Sequence, residues 1–106
     1  MFKVDLNNLP KVHDEYGGYR QSHKGENVSI RVAHMLAGRP ASPAHSHVSE
    51  QIIVVLEGSY VLRIGDQEVP VKAGDVLVIP PDVPHGSVKV FEDSVVVDIF
   101  APPQET

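Results

Sequence analysis

Short runs of aliphatic and β-branched residues, separated by Gly, Pro and Asp, dominate this sequence and limit the folds that it can adopt. Helical periodicity is nowhere sustained over the roughly ten residues that a helix needs, and nine scattered prolines interrupt most windows. We expect at most one helical turn, between Pro10 and Tyr19. The pattern predicts an all-β protein with strands in residues 28–38, 51–58, 59–67, 68–75, 76–82 and 94–103.

Turn residues between the central runs indicate hairpins. The stretches EGS at 57–59 and GDQE at 65–68 have the composition of turns, so we expect strands 51–56, 60–64 and 68–72 to form an antiparallel meander. A chain of 106 residues has room for one hydrophobic core. We therefore expect a single domain over residues 1–106, with a barrel core at about 28–100, N-terminal strands or loop at 1–27 and a tail at 101–106.

Charge and composition argue against several classes of partner and site. The formal net charge is −5 and no cluster of Lys or Arg could neutralise phosphates, so we expect no nucleic-acid partner. The longest aliphatic run, Ile52 to Leu56, is far shorter than the ~20 residues that span a bilayer. No secretory signal is recognisable at the N-terminus, and we expect a cytoplasmic protein that does not bind membranes. Because there is no cysteine, any metal must be bound by nitrogen and oxygen.

Two histidines lie at the start of the most apolar run, in AHSHVSEQIIVVLEG (44–58). If this stretch is extended, His45, His47 and Gln51 point to one side and Glu50 to the other, unless a bulge shifts the register. Two neighbouring imidazoles without a shared partner would lose hydrogen bonds on burial, so the pair favours a bound metal ion. The pair alone leaves a purely structural role equally open.

A second stretch, GDVLVIPPDVPHGSVK (74–89), ends a strand in prolines and presents His85. The prolines and Asp82 would stiffen the loop that aims this ring. Together the two stretches resemble the cupin superfamily, whose first motif contains Gly, His-x-His, Glu and Gly and whose second contains Gly, Pro, Gly, His and Asn. The matching positions here are Gly38, His45, His47, Gln51 and Gly58, followed by Gly74, Pro80, Asp82, His85 and Lys89.

The resemblance implies a double-stranded β-helix, the jelly-roll barrel of cupins, with a divalent metal ion held by His45, His47, Gln51 and His85. This chain departs from the family by one extra residue before the first histidine, and by Gln, Asp and Lys at the Glu, second Gly and Asn positions. Gln51 matters most, because a neutral amide oxygen leaves the metal its full charge and a stronger attraction for an anionic substrate. Such a ligand set suits Zn, Ni, Fe, Mn or Co.

Further candidates lie on strands that would line the same cavity. Asp98 is an acid inside an otherwise apolar strand and could act as a general acid or base, or simply bond a loop. Phe100 shares its face, and His34 interrupts the run 28–38; each could line a substrate pocket or belong to the core. The stretches HSHVSEQ, PPDVPHG and DIFAPPQE resemble small cupins of pectin and alginate degradation, which ketonise unsaturated uronates. Those proteins have an arginine where this chain has Gln104.

Three functions stay open at this point, each with a small molecule as the partner. The first is a metal-dependent isomerase or lyase that moves a proton in a small anionic oxygenated compound, such as a sugar acid. The second is a metal-dependent dioxygenase, since a histidine-ligated metal can also bind O₂. The third is a non-catalytic cupin that binds or senses a small ligand.

Several strands are apolar on both faces, which bears on assembly. In runs such as QIIVVL and VLVI, one face fits a barrel interior and the other requires cover from a second sheet or subunit. We therefore expect a homodimer. The first residues, MFKVDLNN, could add an edge strand, including to a partner subunit, or form a loosely attached terminus.

Overall fold

The computed structural model describes residues 2–104 and is built almost entirely of β-strands. Met1, Glu105 and Thr106, which belong to the expected first segment and tail, lie outside the described residues. The strands are β1 (Val12–His13), β2 (Tyr19–Lys24), β3 (Ser29–Met35), β4 (Glu50–Glu57), β5 (Ser59–Ile64), β6 (Gln67–Lys72), β7 (Val76–Ile79), β8 (His85–Val90) and β9 (Ser94–Ala101). The predicted all-β class is thus confirmed.

Helical structure is limited to one short turn in the described part of the chain. This turn is a 3₁₀ helix at Leu6–Asn8, so its expected place between Pro10 and Tyr19 was wrong. The carboxylate of Asp5 caps the turn by accepting a bond from the Asn7 N–H, and strand β1 occupies part of the expected stretch. Across residues 2–104 no helix is long and apolar enough to cross a membrane.

The strands form two antiparallel sheets that face each other as a jelly-roll barrel. The large sheet has the order β1-β2-β3-β9-β4-β7, and the small sheet has the order β6-β5-β8. This arrangement confirms the predicted jelly-roll fold. Because β9 returns to lie between β3 and β4, residues far apart in sequence become neighbours at the centre of the large sheet.

The expected three-strand meander is only partly correct. β5 and β6 do form a hairpin, with Ile64 opposite Gln67. β4 instead pairs with β9 and β7, and the chain passes from the large to the small sheet between β4 and β5. The crossing occurs at Gly58, which has a φ of 91°. A Cβ at this position would collide with the Ser94 hydroxyl and lie 2.6 Å from the Asp93 carbonyl oxygen, so only glycine fits.

The hydrophobic core fills the space between the sheets and is built by alternation along each strand. In β4 the inward residues Ile53 and Val55 are buried, whereas Ile52 and Val54 between them are half-buried. The buried core residues are Ile53, Val55, Leu77, Ile79 and Val96 from the large sheet and Tyr60, Leu62, Val71 and Val90 from the small sheet. At one end of the barrel the same inward rows become polar, and this end holds the candidate site.

Candidate metal centre

Three histidines converge at the polar end of the barrel. One nitrogen from each of His45, His47 and His85 lies within 4.8 Å of the other two. The ring centroid of His85 is 4.4 Å from that of His45 and 4.9 Å from that of His47. His85 is buried, His47 half-buried and His45 exposed, so the cluster reaches from the interior to the surface. These three side chains could hold a metal ion.

Backbone hydrogen bonds, rather than strand alternation, bring the histidines together. His45 and His47 precede β4, and His45 forms only a single bridge. In that bridge the N–H groups of His45 and His85 each donate to the other residue's carbonyl, at 3.0 and 2.9 Å. The N–H of Asp82 donates to the carbonyl of His47 at 2.8 Å. Asp82 has a φ of 63°, the left-handed region, which accounts for glycine at this position in the family motif.

The hydrogen bonds of the imidazoles fix which nitrogen is free. Nδ1 of His47 lies 2.9 Å from the Ser49 carbonyl oxygen, and Nδ1 of His85 lies 2.9 Å from the Val83 carbonyl oxygen. A carbonyl only accepts, so each Nδ1 carries the proton and each Nε2 of a neutral ring presents a lone pair. Burial, with smaller effects from His45 and His47, lowers the pKa of His85 and keeps this ring neutral.

Gln51 completes the cluster with an oxygen. Its side chain is buried, and its Nε2 donates to Oδ1 of Asp98 at 2.9 Å. Because the carboxylate only accepts, the amide is oriented with Oε1 toward His47, 3.1 Å from Nε2 of that ring. With His47 neutral, two lone pairs therefore face each other. Such a pair requires a cation between them, either a proton on His47 or a metal ion.

A divalent metal fits this donor set. Nε2 of His85 is buried and has no hydrogen-bond partner among residues 2–104, which is rare for a buried polar atom. It lies in the same cluster as the Nε2 of His47 and the exposed His45 ring. Imidazole nitrogens and a neutral oxygen suit several first-row divalent metals, and the ligand types alone do not select one.

Arg31 is a site residue that the sequence analysis missed. It lies opposite Asp98 in the register of β3 and β9. Its Nε and Nη2 are both 2.9 Å from Oδ2 of Asp98, whose side chain is 4% exposed. A signal for this pair exists in the sequence: Arg31 and Asp98 are opposite charges inside two apolar runs, and buried charges need partners.

The other predicted residues take different positions. Phe100 is buried; its ring meets the edge of His47 at 5.6 Å and lies 5.1 Å from the Arg31 guanidinium carbon. His34 borders the site cavity and stacks on Tyr19 at 4.2 Å. In β3 it alternates with Arg31, Ala33 and Met35, whose register partners on β9 are buried, so His34 lies at the border of the cavity and not in the buried inward row.

Gln104 lies apart from the cavity. Its backbone N–H donates to the Ser29 hydroxyl at 3.0 Å, and Gln104 is not among the residues that line the cavity.

A cavity of about 240 Å³ opens beside the histidines. Burial, with a smaller effect from the charge of Asp98, raises the pKa of Tyr60, so its hydroxyl stays protonated at neutral pH. The volume suits a small compound rather than a polymer. The site residues that line it are His45, His85, Gln51, Asp98, Arg31 and Tyr60.

Comparison with known proteins decides the family. Residues 31–100, which include both histidine stretches and Asp98, match the family model described as Cupin domain. The chain belongs to the cupin family. Among curated relatives, this cupin is 27% identical over 88 residues to an uncharacterized protein of Streptomyces coelicolor, covering 83% of each chain. It is 33% identical over 78 residues to the H2HPP isomerase of Bacillus subtilis, covering 73% of this chain but 33% of the isomerase.

Solved structures with the same fold include enzymes. An RmlC-like cupin from Shewanella frigidimarina superposes with a TM-score of 0.85 at 20% identity, covering 99% of this cupin and 94% of that chain. KdgF from Halomonas sp. gives a TM-score of 0.81 at 23% identity, covering 93% and 91%. Oxalate decarboxylase of Bacillus subtilis gives 0.85 at 18% identity, covering 97% of this cupin and 30% of that chain. These likenesses establish the fold.

Proposed function

We propose that this cupin is a metal-dependent enzyme that moves a proton within a small anionic oxygenated compound such as a sugar acid. The reaction class is ketonisation, isomerisation or lyase chemistry. His45, His47, His85 and Gln51 hold a divalent metal ion in this proposal, and Asp98 carries the proton. The isomerase among its relatives, and KdgF and oxalate decarboxylase among its structural neighbours, support an enzyme.

The lone pairs of His47 Nε2 and Gln51 Oε1 that face each other at 3.1 Å carry the metal assignment. Asp98 is what turns the Gln51 oxygen toward the histidines, since it accepts the amide N–H bond. A glutamate in place of Gln51 would set two carboxylates side by side, which like-charge repulsion disfavours. Gln51 can therefore offer an oxygen to a metal ion and at the same time donate a hydrogen bond to the Asp98 carboxylate.

The contacts of Asp98 support the role of proton acceptor that the proposal gives it. Its carboxylate receives bonds from Gln51 Nε2 and from the Arg31 guanidinium. Arg31 orients the carboxylate and adds positive charge to the cavity wall. In ketonisation, Asp98 would take the proton from an enol hydroxyl and return it to the adjacent carbon, so the atoms balance without a co-reactant. A bound divalent metal would supply polarisation of the substrate oxygen.

Metal analysis of the purified protein tests whether the three histidines and Gln51 hold a metal ion. We expect about one equivalent of a divalent metal in the wild type and strong depletion in His47→Ala, His85→Ala and Gln51→Leu. His23→Ala, a change at an exposed histidine on β2, is the matched control and should keep its metal. A wild-type protein that binds no divalent metal, even after incubation with each candidate ion, would overturn the proposal.

Activity assays separate an enzyme from a binding protein. A panel of unsaturated uronates and related enol acids is followed by loss of enol absorbance, with oxygen uptake recorded in parallel. Asp98→Asn should lower turnover by roughly 10²–10⁴-fold, the usual contribution of a proton carrier. Oxygen consumption coupled to substrate loss would instead indicate a dioxygenase. Ligand binding without turnover in either assay would indicate a binding or sensing cupin.

A further inference from the structure

Two arginines beside the metal centre have no role in the chemistry described above. Arg20 on β2 and Arg39 before the first histidine line the same cavity as the histidines. The Nε atom of each is buried and has no hydrogen-bond partner in the described part of the chain. A buried N–H donor without a partner is costly, and both arginines line the cavity, so an acceptor from a ligand bound there would be favoured.

The charge of the cavity favours an anion. Its lining includes three guanidinium groups, from Arg20, Arg31 and Arg39, and two carboxylates, from Asp14 and Asp98. Asp98 is paired with Arg31 at 2.9 Å, whereas Asp14 is 3.4 Å from Arg39 Nη1. Two carboxylates thus leave one positive charge uncompensated before any metal ion is counted.

The position of Arg39 is fixed by its neighbours. The Asp14 carboxylate accepts bonds from the N–H groups of Tyr16 and Gly18 at 2.8 and 3.0 Å, which fix it in the turn before β2. Burial by itself would raise the pKa of Asp14, but these bonds and the two arginine charges lower it. The guanidinium carbon of Arg39 lies 5.5 Å from the Tyr16 ring. These contacts restrain the guanidinium in advance of ligand binding.

We propose that Arg20 and Arg39 form an anion subsite that binds a carboxylate or phosphate group of the ligand, while another oxygen of the same ligand faces the histidines. The ligand is then a small bifunctional acid. This inference rests on the proposed function, because it assigns the second end of the same substrate. It would also give the chain a means to bind an acid although Gln104 stands where related cupins have an arginine.

Calorimetric titration with succinate and with inorganic phosphate tests the subsite, on metal-loaded and on chelator-treated protein. We expect one of the two anions to bind both forms, and Arg20→Gln and Arg39→Gln each to weaken binding by about tenfold, as loss of a charge-assisted bond predicts. Arg63→Gln, at an exposed arginine on β5, is the control and should bind as the wild type does. The tighter of the two anions identifies the group.

The outcomes separate this inference from the proposed function. Unchanged affinity in both arginine variants, or no anion binding by metal-loaded wild type, overturns the subsite and leaves the metal assignment standing. Anion binding that depends on Arg20 and Arg39 in a protein that never holds metal supports the subsite and overturns the metal-dependent function. Melting temperatures of the variants establish that each is folded.

On the outer face of the large sheet, aliphatic residues form two continuous rows across four strands. Register pairs place Ile30, Ile99, Ile52 and Val78 in one row and Val32, Val97, Val54 and Val76 in the next. None of the eight is buried. Val76 and Val78 are 62% and 53% exposed. We call these eight residues the aliphatic face.

The N-terminal arm, residues 2–9, borders this face. Nε2 of Gln21 donates to the carbonyls of Leu6 and Leu9 at 2.8 and 3.0 Å. Gln21 is the register partner of Val32, so the arm lies beside the second row. Within the arm, Phe2 and Val4 point into solvent, with Phe2 fully exposed. The arm therefore extends the apolar surface.

We propose that a second copy of this chain covers the aliphatic face, sheet against sheet, about a twofold axis. An uncharged surface of Ile and Val is complementary to itself, as a twofold contact requires. A standard interface buries roughly 800 Å² on each partner. Four strands at about 4.8 Å spacing make a face about 20 Å wide, and its two rows alone cover less than this area, so the arm with Phe2 and the residues around the face would have to contribute the rest.

Light scattering across a range of concentrations tests the dimer. The wild type should have twice the chain mass of 11.6 kDa, and Val76→Lys with Val78→Lys should be monomeric. Both changes lie at exposed positions of an edge strand, so folding should survive, as a melting curve would establish. Phe91→Lys, at an exposed residue outside the face, is the control. A monomeric wild type, or a dimeric double variant, would contradict the proposal.

Discussion

The two ends of the barrel interior differ sharply although the same strands build both. On β4 the inward residues run from Gln51 through Ile53 to Val55, and on β9 from Asp98 to Val96. The end away from the histidines, which contains Val55 and which we call the closed end, belongs to the aliphatic core. The site end buries an amide, a carboxylate and an imidazole in place of those aliphatic groups. One pair of strands thus contributes to the hydrophobic core at one end and to the candidate site at the other.

The two ends differ in the free energy that burial contributes to folding. Aliphatic burial stabilises by roughly 25 cal/mol per Å². Buried polar groups at best offset the cost of leaving water, and only when they are bonded. At the site end Nε2 of His85 has no partner within residues 2–104, and His47 faces an acceptor. We therefore expect substitutions at the two ends to separate stability from ligand binding.

The largest effect on stability should come from the closed end. Leu77→Ala removes a buried side chain that does not line the site cavity, and it should lower the free energy of unfolding by about 2–5 kcal/mol. Metal content should not change. Val78→Ala, the neighbouring outward position, is the matched control with a smaller loss. Urea denaturation and metal analysis of the two variants provide the comparison, and equal losses would mean that the interior is not the main source of stability.

Removal of metal from the site end should have the next largest effect on stability. A ligand present at a hundred times its Kd stabilises the folded state by about 2.7 kcal/mol. A chelator should therefore lower the melting temperature of the wild type, while His47→Ala should not respond. A wild-type melting curve that is indifferent to the chelator would place the source of stability entirely at the closed end.

Replacement of the glycine at the crossing between the sheets should have a smaller effect on stability. Gly58→Ala forces a side chain into the left-handed region, which costs about 1–2 kcal/mol, and also meets Ser94 and Asp93. Gly38 has a φ of 81° but nothing within 4 Å of an added Cβ. Gly38→Ala should thus show the backbone cost alone. If the two variants unfold at the same denaturant concentration, close packing at Gly58 is not important.

The smallest effect is expected at Asp82 in the loop before His85. Alanine tolerates a φ of 63° less well than Asp does, so Asp82→Ala should destabilise by roughly 1 kcal/mol. Asp82→Gly relieves the strain but gains freedom in the unfolded chain, and should lie within about 0.5 kcal/mol of the wild type. A destabilised glycine variant would indicate that the Asp82 side chain itself holds the loop.

The fold was largely predictable because its signals are local. Alternating aliphatic runs and the turn at 65–68 define β5 and β6, and two histidine stretches carry the family pattern. The partner of β4 was not predictable in this way. EGS at 57–59 has the composition of a hairpin turn, but the close approach of Asp93 and Ser94 to Gly58 makes it a crossing. That contact involves Asp93 and Ser94, which are 35 and 36 positions from Gly58 in the sequence.

The site was predictable in its residue types but not in its hydrogen bonds. The spacing of His45 and His47 indicates a pair, the resemblance to cupins adds His85, and the single acid in an apolar strand draws attention to Asp98. The orientation of the Gln51 amide depends on a bond across two strands. Arg31 required the register of β3 against β9. His34, for which the sequence left a pocket or a core position open, borders the cavity and stacks on Tyr19, a contact that depends on the pairing of β2 with β3.

The main-chain hydrogen bonds between the two histidine segments bear on how the site would acquire a metal ion. Main-chain bonds join His45 to His85 and Asp82 to His47, so the backbone holds these residues together. If they bind a metal ion as proposed, that ion could exchange without refolding of the protein. Since imidazole and amide ligands discriminate weakly among first-row metals, we expect the resident ion to reflect what the surroundings offer, and the same protein to differ in metal content from one growth medium to another.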